Sequence, residues 1–188
     1  SKPDVSVYPA VYYFQGDVYQ TLEAEQWSED TIEYAQSHLL ILSGLYGVLR
    51  PLDFIQPYRL EMGTRLANPE GKNLYEFWGG IVTNAINQQL LRDDNPVLIN
   101  LASNEYANVI DFKKLNNPCV SIIFKEEKQG CQKVIGIHAK KARGAMARFI
   151  MTEKIDTLEG LKSFNQRGYD YDHNQSNDQE FVFVCQHE

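Results

Sequence analysis

The stretch Cys119–Ile150, CVSIIFKEEKQGCQKVIGIHAKKARGAMARFI, decides the fold class. Cys119 to Phe124 is a run of the kind that forms a strand, Lys125 to Gly130 reads as a hairpin loop, and Lys133 to Ile137 as the returning strand. A helix then covers Ala139 to about Glu153. At 100° per residue, Ala142, Met146, Phe149 and Ile150 gather on one face. Working outward, Val97–Leu101 is a short apolar strand and Phe181–Val184 another. An amphipathic helix follows Trp27, capped by Ser28, with Glu29 and Asp30 at the positive end of its dipole. Ile32, Ala35, Leu39 and Leu42 line its inner face, and it stops at Ser43-Gly44. A second helix spans about Asn73 to Arg92, with Trp78, Ile81, Val82, Ala85, Ile86 and Leu90 buried. Prolines and glycines make residues 51–72 a long ordered loop. A short helix covers Thr157 to Phe164, and Arg167 to Gln179 reads as polar and mobile. Helices and strands alternate without a strict βαβ rhythm. The expected fold is α+β: a mixed sheet or barrel-like β core wrapped by helices, residues 1–188 forming a single domain.

The chain carries a net charge of −7. A nucleic-acid binder usually carries a positive excess, yet affinity follows the local field and not the total. From Lys128 to Thr152 there is no acidic residue and there are six Lys or Arg, so the remainder carries −13. Lys140, Lys141, Arg143 and Arg148 occupy the arc opposite the apolar face of the helix at 139–153. The first three stand near its start, where cations cost about 0.3–1 kcal/mol each at low salt. Free N–H groups, the dipole and several cations converging there make an anion site. The small residues Ala142, Gly144 and Ala145 would let a phosphate backbone come close. The plainer alternative is a solvated helix face.

Ser43, Gly44, Tyr46, Gly47 and Arg50 lie in a hydrophobic-Gly run, LSGLYGVLRP, between two helical pieces. That spacing resembles the hairpin of a helix-hairpin-helix DNA-binding element, whose glycines expose backbone N–H groups to phosphate without reading bases. The alternative is a helix C-cap at Gly44 followed by a turn. Ser103, Glu105 and Tyr106 follow the strand at 97–101 and offer a hydroxyl, a carboxylate and a phenol, which with a lysine could form an acid-base group; otherwise they cap and pack a short helix. Arg59 pairs with Glu61 or lines a cleft. Tyr169 to His173 contain metal-ligand residue types at a spacing that matches no site, and His38, His138 and His187 are scattered singles. The three cysteines form no C-x-x-C pair, which fits a reducing compartment, and no apolar run reaches the roughly 18 residues of a membrane span. The expected location is cytoplasmic, with no metal, no cofactor and no obligate protein partner.

Taken in order, Gly16–Tyr19, LSGLYGVLRPL (42–52), QPYRLEMG (56–63), LYEFWG (74–79), NLASNEY (100–106), KKARG (140–144), Arg148–Ile150 and Gly168-Tyr169 resemble the YaaA peroxide-stress family. The resemblance implies a cytosolic bacterial protein of the hydrogen peroxide response that limits free iron and oxidative DNA damage. It implies binding of duplex or branched DNA, with little sequence specificity, through a positively charged cleft and a helix-hairpin-helix. Carried over by position, Ser43 to Arg50 would be the hairpin. Lys140, Lys141, Arg143 and Arg148 would line the cleft, with Arg59 as a further contact. The same cleft could instead serve an enzyme acting on a nucleotide or nucleic acid. The family opens with a Ser-Pro-Ala-Lys segment that this sequence lacks, so an N-terminal truncation is expected.

Overall fold

The structure, a computed structural model, describes residues 6–187. The opening Ser1-Lys2-Pro3-Asp4 lies outside them. In chain order the elements are β1 (Tyr8–Pro9), α1 (Ala10–Tyr13), α2 (Asp17–Leu22), α3 (Glu29–His38), β2 (Ile41–Ser43), β3 (Gly47–Leu49), β4 (Phe54–Ile55), α4 (Leu74–Trp78), α5 (Ile81–Leu90), β5 (Leu98–Asn100), α6 (Asn104–Ala107), β6 (Cys119–Lys128), β7 (Cys131–Lys133), α7 (Gly136–Thr152), α8 (Leu158–Lys162), β8 (Tyr169–Tyr171) and β9 (Glu180–His187). The class is α+β with a mixed sheet, and no sheet among the described residues closes into a barrel. No helix among the described residues is long and apolar enough to cross a membrane.

The chain gathers into two compact units. One holds the described residues up to Phe14, Leu39–Leu98 and Ala102–Pro118. Its core is Met62, Leu74, Val82, Ile86, Leu90, Val109 and Ile110. The helix expected over 73–92 is two helices, α4 and α5, parted at Gly79, whose φ of 44° is a left-handed conformation few residues tolerate. The helix expected to reach Ser43 ends at His38, because β2 and β3 take the following residues as an antiparallel hairpin, Ser43 opposite Gly47.

The second unit holds Gln15–His38, Ile99–Leu101 and the chain from Cys119 on. Its sheet runs β5-β6-β9-β8, with β7 antiparallel on β6. β6 and β9 are parallel, Ser121 opposite Glu180 through Lys128 opposite His187. Along β6 the burial alternates, so Val120, Ile122, Phe124 and Glu126 share the inward face. Phe124 pairs across the sheet with Phe183, and Phe183 with Tyr171. These rings, with Phe164, form an edge-to-face aromatic core. The segment expected to be mobile, Arg167 to Gln179, contributes β8, which pairs antiparallel with β9. α7 is buried at eight positions around its circumference, including Ala139, Ala142, Gly144, Ala145 and Met146, and packs against α2.

Candidate functional site

The residues expected to form a helix-hairpin-helix build a β-hairpin instead, and its glycines face inward. A Cβ on Gly44 would stand 2.4 Å from the Leu60 carbonyl oxygen, and one on Gly47 would stand 2.9 Å from the Trp78 ring. The Trp78 indole donates to the Gly44 carbonyl at 3.0 Å. These glycines serve close packing against the Leu60 backbone and the Trp78 ring. Ser43 is 1% exposed; its hydroxyl shares a 2.5 Å hydrogen bond with the Tyr58 hydroxyl and accepts from the Tyr46 N–H. The Tyr46 hydroxyl accepts from the Gln56 N–H, while Arg50 pairs with Asp53 at 3.6 Å. Arg59 is exposed, and no ion pair joins it to Glu61 among the described residues.

The same unit brings Glu105 and Tyr106 together with the 56–63 loop. Glu105 Oε1 accepts from the Gly63 N–H at 2.9 Å, and the Tyr75 hydroxyl donates to the Glu105 carbonyl at 2.7 Å. Burial first, then the charge of Glu105, raises the Tyr106 pKa; burial likewise raises that of Tyr58. Phenols held this way stay protonated at neutral pH and act as hydrogen-bond donors. Ser103 precedes α6 without a side-chain cap bond.

In the second unit α7 starts at Gly136, not Ala139, so Lys140, Lys141 and Arg143 stand beyond its first turn. The dipole contributes less to an anion site there, since its effect falls off within one turn. Arg148 leaves the set of free cations: it is ion-paired to Glu23 and donates to Gln166 Oε1 at 3.0 Å. Gly144 is covered as well, because α2 lies against it, and the Thr21 hydroxyl donates to the Lys141 carbonyl at 2.8 Å; Ala145 is buried. Small residues on this face admit a helix rather than a phosphate backbone. Lys140 is exposed and Lys141 half-buried. Arg143 is also half-buried, its guanidinium pKa lowered by burial, and no carboxylate pairs with it among the described residues. Arg148→Gln should therefore lower stability by about 1 kcal/mol, or about 2–4 °C in Tm by calorimetry, while leaving any DNA affinity unchanged.

The sequence motifs of four separate stretches, 42–52, 56–63, 74–79 and 100–106, thus meet through Gly44, Trp78, Tyr58, Gly63 and Glu105. The family described as peroxide stress protein YaaA matches residues 1–175. This chain belongs to the YaaA family. A UPF0246 protein of Legionella pneumophila (strain Lens) is 63% identical over 162 residues, covering 86% of this chain and 63% of the relative. A UPF0246 protein of Shewanella baltica (strain OS185) is 55% identical over 167 residues, covering 89% of this chain and 65% of the relative. The chain spans just under two thirds of the length of these YaaA-family relatives.

A second polar cluster escaped the sequence reading. Glu126, 4% exposed, accepts from the Tyr169 hydroxyl at 2.5 Å, contacts His187 Nε2, and lies 3.1 Å from His138 Nδ1. Burial alone would raise the Glu126 pKa, but the hydrogen bonds from Tyr169 and His187 and the nearby His138 bring it below its ordinary value. Buried Cys185 adds a sulfur, with the donor atoms of Glu126, Cys185 and His187 all within 4.8 Å of one another. These are the described residues that could hold a metal. One signal was available: a carboxylate at the next inward position after Val120, Ile122 and Phe124.

Proposed function

We propose that this chain acts in the hydrogen peroxide response by binding DNA through phosphate contacts from Lys140, Lys141 and Arg143 on α7. One observation carries the reading: Arg143 is a half-buried guanidinium without a carboxylate partner among the described residues. A desolvated cation is costly unless an anion meets it, and phosphate fits the guanidinium fork. The acid-free window around it keeps the local field positive on an acidic chain. Contacts of this kind carry no sequence information, so duplex and branched DNA both qualify as ligands.

The test is a gel-shift series over several salt concentrations with linear, bubbled and four-way DNA. Replacing Lys140, Lys141 and Arg143 together by Ala removes three phosphate contacts. It should lower the slope of log K against log salt by about 2.7. An unchanged slope removes α7 from the account.

A second reading, catalysis on a nucleotide or nucleic acid, draws on the Glu105 carboxylate beside the Tyr106 phenol. Any activity found against such substrates should fall in Glu105→Gln. Retention of full activity excludes that carboxylate.

A further inference from the structure

We propose that Glu126, His138, Cys185 and His187 bind one divalent transition-metal ion of the zinc class. The sheet register builds the site. Cys185 on β9 stands opposite Glu126 on β6 and opposite Tyr169 on β8, so the three side chains form one row on one face. His187 lies two residues on and returns to that face. His138, in the first turn of α7, reaches the same carboxylate at 3.1 Å.

The donor set is one oxygen, two nitrogens and one sulfur from three elements. Tetrahedral coordination with bonds of about 2.0–2.3 Å places donors roughly 3.5 Å apart. The observed spacing, within 4.8 Å for Glu126, Cys185 and His187, closes to that by side-chain rotation. Mixed nitrogen, sulfur and carboxylate donors favour zinc or cobalt over magnesium or calcium. His138 and His187 have side chains 49% and 46% exposed, which leaves the ion a way in to buried Glu126 and Cys185. Tyr169 donates to Glu126 from behind and so orients the carboxylate. Gly168 keeps space at the sulfur, since a Cβ there would lie 3.1 Å from Cys185 Sγ. On binding, the ion takes the thiolate of Cys185 and the proton leaves to solvent. Cys185 and His187 lie beyond residue 175, where the family match ends.

The experiment uses untagged protein, Zn(II) titrated in competition with a chromophoric chelator, and Co(II) absorption spectra. One equivalent of Zn(II) is expected, and a sulfur-to-cobalt charge-transfer band in the near ultraviolet. Cys185→Ser should abolish that band, while Cys119→Ser and Cys131→Ser keep it. His187→Ala and His138→Ala should each weaken Zn(II) binding at least tenfold, as losses around a metal site do. Circular dichroism confirms folding, and the two exposed histidines supply the answer should Cys185→Ser unfold. Absence of stoichiometric Zn(II) binding, or Zn(II) affinity unchanged in both histidine variants, overturns the proposal. So does a charge-transfer band that survives in folded Cys185→Ser or disappears in Cys131→Ser.

Discussion

Gly144→Ala is expected to destabilise the protein by about 3 kcal/mol, lowering Tm by roughly 6–12 °C for a chain of this size. The added Cβ would stand 2.0 Å from the Val18 carbonyl oxygen and 2.1 Å from Thr21 Oγ1. Val18 presents backbone there, so α2 must withdraw as a body. The 2.8 Å hydrogen bond from Thr21 to the Lys141 carbonyl is then lost as well, at about 1 kcal/mol. The sign is the test. In an open helix interior the same exchange stabilises by about 1 kcal/mol, because alanine is the better helix former. A calorimetric Tm equal to or above that of the parent would show that α2 and α7 do not meet at this glycine.

Phe183→Ala should cost roughly 3–5 kcal/mol. Phe183 is 0% exposed and its ring lies 5.6 Å from that of Phe124, 5.8 Å from Phe164 and 5.5 Å from Tyr171. Truncation leaves those three rings facing a void in the middle of the sheet. Since domains carry only about 5–15 kcal/mol in total, the variant should unfold at markedly lower denaturant. Trp27 belongs to the same unit and gives the fluorescence readout. A loss under about 1 kcal/mol would mean that the aromatic core is not closed around this residue.

Local patterns were the legible part. The apolar runs of β6 and β9 and the periodicity of α7 need only near neighbours to be read. The α3 start was legible too: Ser28 Oγ accepts from the Thr31 N–H at 3.2 Å, as its capping chemistry predicts. What escaped depends on partners distant in sequence. The 41–49 hairpin competes with a helical pattern that includes Leu39 and Leu42, and strand pairing wins there. Gly144 looks the same in sequence whether a phosphate or a helix approaches it. The cations on α7 were visible, but Glu23, which neutralises Arg148, is 125 residues away. The Glu126 cluster draws its donors from positions 126 to 187 and so shows no ligand spacing. The alternation along β6 was the only local hint.

The place of β9 between β6 and β8 also bears on how the protein is made. About fifty residues, α7 among them, follow β6 before β9 begins. At the ribosome's pace of 5–20 residues per second, β6 waits roughly 3–10 s for its parallel neighbour. Through that interval the nascent chain displays Val120, Ile122 and Phe124 on a strand whose β9 edge is open. Synthesis that stalls in this window yields a species with an open strand edge, the natural prey of chaperones and proteases.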